Sequence, residues 1–287
     1  MFYQARYECG NNRSWFNGSQ LATRLIETEH SVMVYNRDIS KTKPFAKLNA
    51  KVANTPKQLA ENCGFIIICV TNFKAVKEVC FGTHGIITAT HCKNLIVADS
   101  SNISPKESIY NAQLFRKMEI EMLGMPLMGG PAAAKRGELV SIITGKKQAF
   151  EKTKHIIRKI ASSVFYTGNV DGSANAIKLA LNLNIALIAC AVSGVTLVRG
   201  LGINPEIFIK ILNSTYFKTG LSEIKGPKMV KNKFNPTFYL RNMLKDLELV
   251  TNTAQDIGFS LHIATITQQI YRQQIISDFP TMTIQQY

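Results

Sequence analysis

Short apolar runs of strand length alternate with amphipathic stretches through the first 169 residues. The apolar runs lie at 31–36, 65–70, 95–99, 120–123 and 140–144. The amphipathic stretches between them include 20–27, 105–117 and 147–161. Continuous apolar strands separated by helices are typical of a parallel sheet that is covered on both faces. We therefore predict an α/β unit with a doubly wound sheet over residues 1–169.

The chain changes character after the Gly/Asp turn at 168–172. The strand pattern stops there, and helical patterns follow almost throughout, beginning with a long apolar helix at 173–199. Polar residues such as Asn182 and Asn184 interrupt that helix, so we interpret it as buried in a soluble core and predict no membrane association. The second domain is predicted to be all-α and to cover residues 170–287. Its long apolar helix favours a homodimer or homotetramer that shares this domain.

Composition and charge narrow the possible partners. Hydrophobic residues make up 46% of the chain and charged residues 18%, which excludes a disordered protein. The net charge of +15 raises the question of a polyanion, but the basic residues are spread in short clusters, so we expect a solvated surface and no nucleic-acid partner. The six cysteines form no C-x-x-C pair, so no metal site or disulfide framework is predicted, and we expect a cytoplasmic protein.

Polar residues follow three of the predicted strands at the point where each strand ends. Asn36 ends the run at 31–36 and Arg37 follows it. Val70 ends the run at 65–70 and Thr71 follows it. The segment 99–102 begins at the last residue of the run at 95–99. Doubly wound sheets bind ligands at the carboxyl ends of their strands. The sequence therefore predicts a ligand site along this edge.

Four motifs occur in an order that points to one family. They are D-S-S-N-I-S-P at 99–105, M-P-L-M-G-G at 125–130, the pair Lys178 and Asn182, and F-Y-L-R-N-M-L-K-D-L at 238–247. Each motif is weak alone, but together they resemble the β-hydroxyacid dehydrogenase family, which includes 3-hydroxyisobutyrate dehydrogenase and the glyoxylate/succinic semialdehyde reductases. The resemblance implies a Rossmann-type NAD(P)-binding domain followed by a helical substrate domain.

The resemblance also implies a reaction, in which hydride passes between NAD(P)H and a small aldehyde acid or hydroxy acid. Lys178 would be the general acid or base, and Asn182 would orient the lysine or the substrate oxygen. The residues that the resemblance assigns to the substrate carboxylate are Ser101, Gly129 and Gly130. It assigns Asn102 and Lys245 to the nicotinamide side.

The chemistry of Lys178 agrees with that role. Lys178 and Asn182 are four residues apart on a predicted helix, so they share one face. Carbonyl reduction needs a proton for the developing alkoxide, and a lysine ammonium donates one well when burial lowers its pKa. The alternative is that Lys178 simply extends its ammonium to water from an otherwise apolar helix.

Two positions bear on cofactor choice. Arg37 follows the predicted strand at 31–36, where an arginine suits the 2′-phosphate of NADP and an acid suits the ribose of NAD. Asp38 is a contrary sign, so NADP is favoured and NAD stays possible. The phosphate-binding fingerprint G-x-G-x-x-G keeps only Gly18, because Arg13 and Trp15 replace its first two glycines. We expect this replacement to weaken cofactor binding.

Other interpretations stay open at this point. Met128 stands where the family usually has a serine that helps to hold the carboxylate, which puts the substrate in question. The degraded fingerprint and the basic charge also fit a catalytically weak family member that acts as a binding or scaffold protein, for example one associated with nucleic acid. An imine reductase would share the architecture, but Lys178 argues against it.

Overall fold

The computed structural model describes residues 2–5, 16–90, 92, 94–231 and 239–276. The chain divides into two units, Met1–Lys178 and Leu179–Tyr287, and each is described by itself. The boundary expected at 169/170 falls at the Gly168–Gly172 turn, a few residues before the end of the first unit.

The first unit contains a six-stranded parallel sheet. Its strands are β1 (Phe2–Ala5), β2 (Met33–Tyr35), β3 (Lys51–Val52), β4 (Phe65–Cys69), β5 (Ile96–Asp99) and β6 (Glu121–Gly124). Their spatial order is β3-β2-β1-β4-β5-β6, and all pairs are parallel. Because these pairs are parallel, the carboxyl ends of β1, β2, β4 and β5 share one edge, and the strand order reverses direction at β1.

A smaller sheet follows in the same unit. It consists of β7 (Leu127–Met128), β8 (Leu139–Ile143) and β9 (Ala161–Tyr166). The β7–β8 pair is antiparallel and the β8–β9 pair is parallel.

Helices of the first unit connect these strands. They are α1 (Phe16–Glu27), α2 (Lys43–Ala46), α3 (Pro56–Asn62), α4 (Phe73–Phe81), α5 (Pro105–Lys117), α6 (Pro131–Arg136), α7 (Lys147–Ile160) and α8 (Ser173–Asn182). Helix α5 begins where the sequence provides a capping box, in which the Ser104 hydroxyl accepts the Glu107 N–H and Glu107 in turn accepts the Ser104 N–H. Proline at the first helical position fits the same start.

Two apolar clusters, one on each face of the sheet, explain why strand sequences such as that of β4 are continuous apolar runs. Along β4, Ile66 and Ile68 belong to one cluster and Phe65 and Ile67 to the other. All four are buried, because helices cover both faces of the sheet. The period-2 alternation of a half-exposed strand is therefore absent from β4.

The secondary-structure elements named in the described part of the second unit are all helices. Helix α8 crosses into it, a 3-10 turn follows at Leu183–Ile185, and the further helices are α9 (Ala186–Gly200), α10 (Pro205–Leu212), α11 (Gly220–Val230), α12 (Leu240–Asp256) and α13 (His262–Ile276). Its core includes Ile188, Leu240, Leu247 and the fully buried Tyr271.

The predicted fold class is confirmed: a doubly wound parallel sheet is followed by helices. The prediction missed β1, β3, β7 and β9, and it extended the helix at 147–161 by one residue into β9. The long helix expected at 173–199 contains the 3-10 turn at Leu183–Ile185.

Among the described residues, the helical stretch Ser173–Gly200 is long and apolar enough to cross a membrane, by its length and composition alone. Core helices of soluble proteins pass the same test, so its assignment to a soluble core remains a prediction.

Candidate active site

The carboxyl end of β2 carries the residues expected to select the cofactor. The Asn36 side chain is buried, and its Oδ1 accepts the N–H of Asp38 at 2.9 Å, which fixes the turn after the strand. Arg37, between them, is exposed. An exposed guanidinium at this edge fits a phosphate group on the ribose of a dinucleotide.

The neighbouring Asp38 has a local structural role. Its Oδ1 accepts both the backbone N–H and the hydroxyl of Ser40, at 3.2 and 2.6 Å, and Lys41 Nζ lies 3.5 Å from Oδ2. The Ser40 hydrogen bonds hold the pKa of the Asp38 carboxyl below its usual range. Asp38 thus caps the 3-10 turn at Ile39–Thr42, which explains an acid beside Arg37 without a ribose role.

The ends of β4 and β5 are tied to each other. The Ser101 hydroxyl accepts the Val70 N–H at 3.1 Å, and Ser101 is almost completely buried. Ser100 donates from its backbone N–H and from its hydroxyl to Ile68 O, at 2.7 and 2.6 Å. The segment 100–104, here called the substrate loop, is therefore fixed to the residues that precede Thr71.

The Asp99 carboxyl holds the substrate loop through a hydrogen bond. Its Oδ1 accepts the Ser101 N–H at 2.9 Å, and the residue is 2% exposed. Burial raises the pKa of the Asp99 carboxyl to about 6, against the lowering effect of the Ser101 hydrogen bonds; Glu107 adds to the rise and Asn111 opposes it. Burial, followed by the charge of Asp99, raises the pKa of the nearby Cys80 thiol.

The glycine pair lies in the turn between β7 and α6. Gly129 has φ of +127°, a backbone conformation that a side chain disfavours, and a Cβ there would lie 2.7 Å from Leu139 Cδ2. Gly130 precedes the first residue of α6 and is exposed. The turn therefore presents backbone without side chains, as a site for a substrate carboxylate requires.

Lys178 lies near the end of α8 and is half-buried. Its Nζ donates to Met128 Sδ at 2.8 Å, which brings the ammonium beside the residue that precedes the glycine pair. The structure thus brings together two motifs that are 50 residues apart in the sequence. A thioether is a weak acceptor, so this contact supplies little of the stabilisation that a carboxylate would give to the ammonium.

Other predicted site residues have the following places. Gly18 is buried in the first turn of α1. Asn182 is 4% exposed and lies one turn after Lys178 in α8. Lys245, on α12 of the second unit, has its Nζ 3.1 Å from Asp246 Oδ1, so the two residues form an ion pair. Asn102 follows Ser101 in the substrate loop and is partly exposed.

Some predictions lie outside the described residues, namely Arg13, Trp15 and Phe238. Within the described residues no group of three His, Cys, Asp or Glu side chains is placed to hold a metal ion.

Sequence reasoning missed two buried polar residues near the substrate loop, Asp99 in its supporting role and Asn175 on α8. Asp99 is the first residue of the D-S-S-N-I-S-P motif, but the motif does not predict that its carboxyl holds the Ser101 N–H. Asn175 precedes Lys178 by three residues, and a polar residue one turn before a functional lysine was the available signal.

Two protein families match consecutive parts of the chain. Residues 17–168, more than half of the chain, match the NAD binding domain of 6-phosphogluconate dehydrogenase. Residues 172–279 match the family described as NAD-binding of NADP-dependent 3-hydroxyisobutyrate dehydrogenase.

Individual proteins are similar over most of the chain. Cytokine-like nuclear factor N-PAC of Drosophila melanogaster is 30% identical over 257 residues, 89% of this chain and 42% of that protein. Glyoxylate/succinic semialdehyde reductase 2, chloroplastic, of Arabidopsis thaliana is 26% identical over 256 residues, 89% of this chain and 71% of that protein. The chain thus spans less than half the length of N-PAC.

A solved structure has the same fold. The 3-hydroxyisobutyrate dehydrogenase from Salmonella typhimurium superposes with a TM-score of 0.86 at 20% identity, covering 100% of this chain and 98% of that one. The two family models follow one another along the chain in the order that the motifs predicted, and the chain belongs to the β-hydroxyacid dehydrogenase family.

Proposed function

We propose that the protein is an NAD(P)-dependent oxidoreductase that interconverts a small hydroxy acid and its aldehyde or keto acid, with NADPH preferred. The observation that carries the proposal is the position of Lys178. Its ammonium reaches the β7 residue Met128, beside the Gly129–Gly130 turn. A proton donor is thus held next to backbone N–H groups that are open to an anionic substrate.

The edge formed by β2, β4 and β5 supports the cofactor assignment. Arg37 is exposed at the end of β2, while Asp38 is engaged by Ser40 and Lys41. This arrangement favours the 2′-phosphate of NADPH over the free ribose of NADH. The family model over 172–279 is named for an NADP-dependent enzyme, which agrees with that preference. When bound, the nicotinamide supplies the hydride.

Lys178 supplies the proton in this scheme. As hydride reaches the carbonyl carbon, negative charge develops on the oxygen, and the Lys178 ammonium stabilises it and then transfers a proton. Asn182, one turn further along α8, orients the lysine or the oxygen through its amide. In the oxidation direction the neutral amine accepts the proton from the hydroxyl.

The substrate carboxylate is assigned to the Gly129–Gly130 turn and the Ser101 hydroxyl. Residues 129 and 130 are exposed and carry no side chain, so we assign their backbone N–H groups as donors to the carboxylate. Met128 offers no donor where the family usually has serine, so we expect fewer hydrogen bonds to the carboxylate and a correspondingly high KM.

A panel of small aldehyde acids, each assayed with NADPH and with NADH, tests the proposal. We expect turnover of at least one member, faster with NADPH, and direct binding of NADPH measured by its fluorescence. Binding of NADPH without turnover of any member, in either direction, would contradict the catalytic part. Absence of NADPH binding would contradict the whole proposal.

The exposed apolar side chains of α9 and α10 support the proposed oligomer. Leu197, Ile207 and Ile211 are all more than half exposed on these helices. We propose a homodimer or homotetramer that covers them. A cytoplasmic location, and the absence of membrane and nucleic-acid partners, remain part of the proposal.

A second candidate is a catalytically weak binding or scaffold protein. The 30% identity to a relative named a nuclear factor favours it, as do Arg13 and Trp15 in place of fingerprint glycines. The outcome that would favour it is lack of NAD(P)H binding at millimolar concentration, together with DNA binding that weakens steeply with salt.

A further inference from the structure

The first turn of α8 is fastened to the ends of β8 and β9 by hydroxyl groups. Ser173 Oγ donates to Thr144 Oγ1 at 3.0 Å, and Thr167 Oγ1 lies 2.9 Å from Ser173 Oγ. Thr144 Oγ1 also lies within hydrogen-bond distance of the carbonyls of Gly168 and Val170, at 3.1 and 2.9 Å. These contacts fix where the helix begins, and hence the axis along which Lys178 is placed.

The same helix makes a second, buried attachment two residues later. Asn175 Nδ2 donates to the carbonyl of Ile103 at 3.3 Å, across 72 residues of sequence. Asn175 is 2% exposed and Ile103 is 1% exposed, so water does not compete for this bond. The bond joins α8 to the substrate loop.

The substrate loop is held on its other side as well. Asp99 Oδ1 accepts the Ser101 N–H, and Ser101 Oγ accepts the Val70 N–H. Ser104 caps α5 at the end of the loop. The loop and the start of α8 are thus each anchored in the first unit, and the Asn175–Ile103 bond is a direct hydrogen bond between them.

The space around Asn175 fits its short amide. Its Oδ1 lies 3.3 Å from the position that a Cβ on Gly124 would take, and Thr144 Cγ2 lies 2.9 Å from that position. Gly124 pairs with Asp99 across β5 and β6, so Asn175 packs directly beside the strand end from which the loop departs. A longer side chain at 175 would meet the β6 backbone, and a shorter one would lose the bond to Ile103.

We propose that Asn175 is a positioning residue for the reaction, which holds the substrate loop in register with the helix that carries Lys178. The inference rests on the proposed function in one respect, namely that Lys178 acts on a substrate bound at this loop. Asn175 and Lys178 are three residues apart, so they lie on nearly the same face of α8. A shift of the loop relative to this face changes the distance between Lys178 and any group that Ser101 and Asn102 hold.

The test compares Asn175→Ala and Asn175→Asp with the matched control Asn184→Ala. Asn184 is an exposed asparagine after the end of α8, and its Nδ2 bonds only locally, to Leu181 O at 3.1 Å. Asn175→Asp keeps the shape but directs a carboxylate at the Ile103 carbonyl. We expect both variants at 175 to lower kcat by about 10- to 100-fold, the scale of a misplacement of about 1 Å. NADPH affinity should stay unchanged, because the edge at β2 is untouched.

Two readouts do not depend on turnover. Hydrogen exchange of the substrate loop should be faster in Asn175→Ala by about tenfold, since a buried anchor is lost. The rate at which an amine-reactive reagent modifies Lys178, followed by peptide mapping, should also change. The control should match the wild type in all of these measurements.

The outcomes separate this inference from the proposed function. A lower melting temperature with unchanged kcat, loop exchange and Lys178 reactivity would mean that Asn175 is merely structural, and would overturn the inference. If the wild type turns over no substrate at all, the proposed function fails, and loop exchange with Lys178 labelling alone decides whether Asn175 ties the two segments. If Asn175→Ala does not fold, the isosteric Asn175→Asp variant decides in its place.

Discussion

The two units differ in how completely they bury their own apolar side chains. Of the described residues, fourteen large apolar side chains are exposed in the second unit and eight in the first, although the first unit is longer. In the first unit, strands such as β4 are covered on both faces. In the second, Tyr216 and Phe217 are fully or mostly exposed beside an apolar groove of about 510 Å³ lined by Leu187, Phe208 and Leu212.

This difference suggests that the first unit carries the binding and chemistry, whereas the second unit carries the association between copies of the chain. The first unit completes its own core, so its polar residues at the strand ends are available for binding and chemistry. The second unit leaves apolar surface of the kind that association buries. Changes to the first unit should therefore alter catalysis and pH dependence, whereas changes to the exposed face of the second should alter assembly.

The largest expected effect is on turnover. Lys178→Ala should lower kcat by about 10²- to 10⁴-fold, the usual range for loss of general acid catalysis. Stability, assembly and NADPH affinity should remain close to the wild type, because Lys178 is only half-buried and its hydrogen bond to Met128 Sδ uses a weak acceptor. Steady-state kinetics with the best substrate, together with circular dichroism, checks this. A variant that keeps more than half of the wild-type rate would remove Lys178 from the mechanism.

The next effect concerns assembly. Ile207→Glu on α10 places a charge on the exposed apolar face. Burial of an unpaired carboxylate in an interface costs several kcal/mol, so the dissociation constant of the oligomer should rise by about 100-fold. Ile39→Glu is the matched control, because Ile39 in the first unit is exposed to a similar extent, 47% against 52%. Sedimentation velocity over a concentration series measures both. Equal association of the two variants would place the interface elsewhere.

Asp99→Asn should change how stability depends on pH. The folded-state pKa of Asp99 is raised to about 6, above the value near 3.8 in the unfolded chain. The folded state therefore holds a proton that the unfolded state releases, so the contribution of this group is full below about pH 4 and is lost as the pH rises through 6. A shift of about two pKa units corresponds to about 3 kcal/mol at most.

The measurement is urea unfolding at pH 4.5 and pH 7.5. Asparagine keeps an acceptor for the Ser101 N–H but does not ionise, so the wild type should lose stability relative to the variant between these two pH values. A stability difference that is the same at both would show that the carboxyl of Asp99 does not titrate in this range.

The smallest effect is on cofactor choice. Arg37→Asp should shift the ratio of kcat/KM for NADPH over NADH by about tenfold toward NADH, because it replaces a phosphate partner with an acceptor for ribose hydroxyls. Lys47→Asp, an equal change of charge on the exposed end of α2, is the control and should leave the ratio unchanged. An unchanged ratio in Arg37→Asp would make Arg37 an ordinary surface residue.

The sequence predicted the elements whose signals are local. Helix α5 was predicted at its observed bounds, because Ser104, Pro105 and Glu107 give it a start that needs no tertiary information. Strand β4 was predicted because residues 65–70 form a continuous apolar run of strand length. Strands β1 and β9 were missed, since Phe2–Ala5 and Ala161–Tyr166 contain polar residues and become strands through pairing with neighbours that are distant in sequence.

The candidate site likewise has residues that the sequence predicted and contacts that it did not. Motifs located Lys178, Ser101 and the glycine pair, but no motif gives the Lys178–Met128 contact or the Asn175–Ile103 bond, because both join segments more than 45 residues apart. The role of Asp38 as a turn cap likewise needed the geometry of Ser40. Long-range side-chain pairs of this kind depend on the packing of whole elements, which a single sequence does not specify.

The hydrogen bond from the Val70 N–H to Ser101 Oγ has a thermodynamic consequence. It joins the end of β4, at the edge proposed for the dinucleotide, to the loop proposed for the substrate. If one ligand alters this bond and thereby changes the affinity for the other by some factor, the second must change the affinity for the first by the same factor. Ordered binding with cofactor first would then be a matter of rates, while the coupling free energy between the two ligands would be the same in either order.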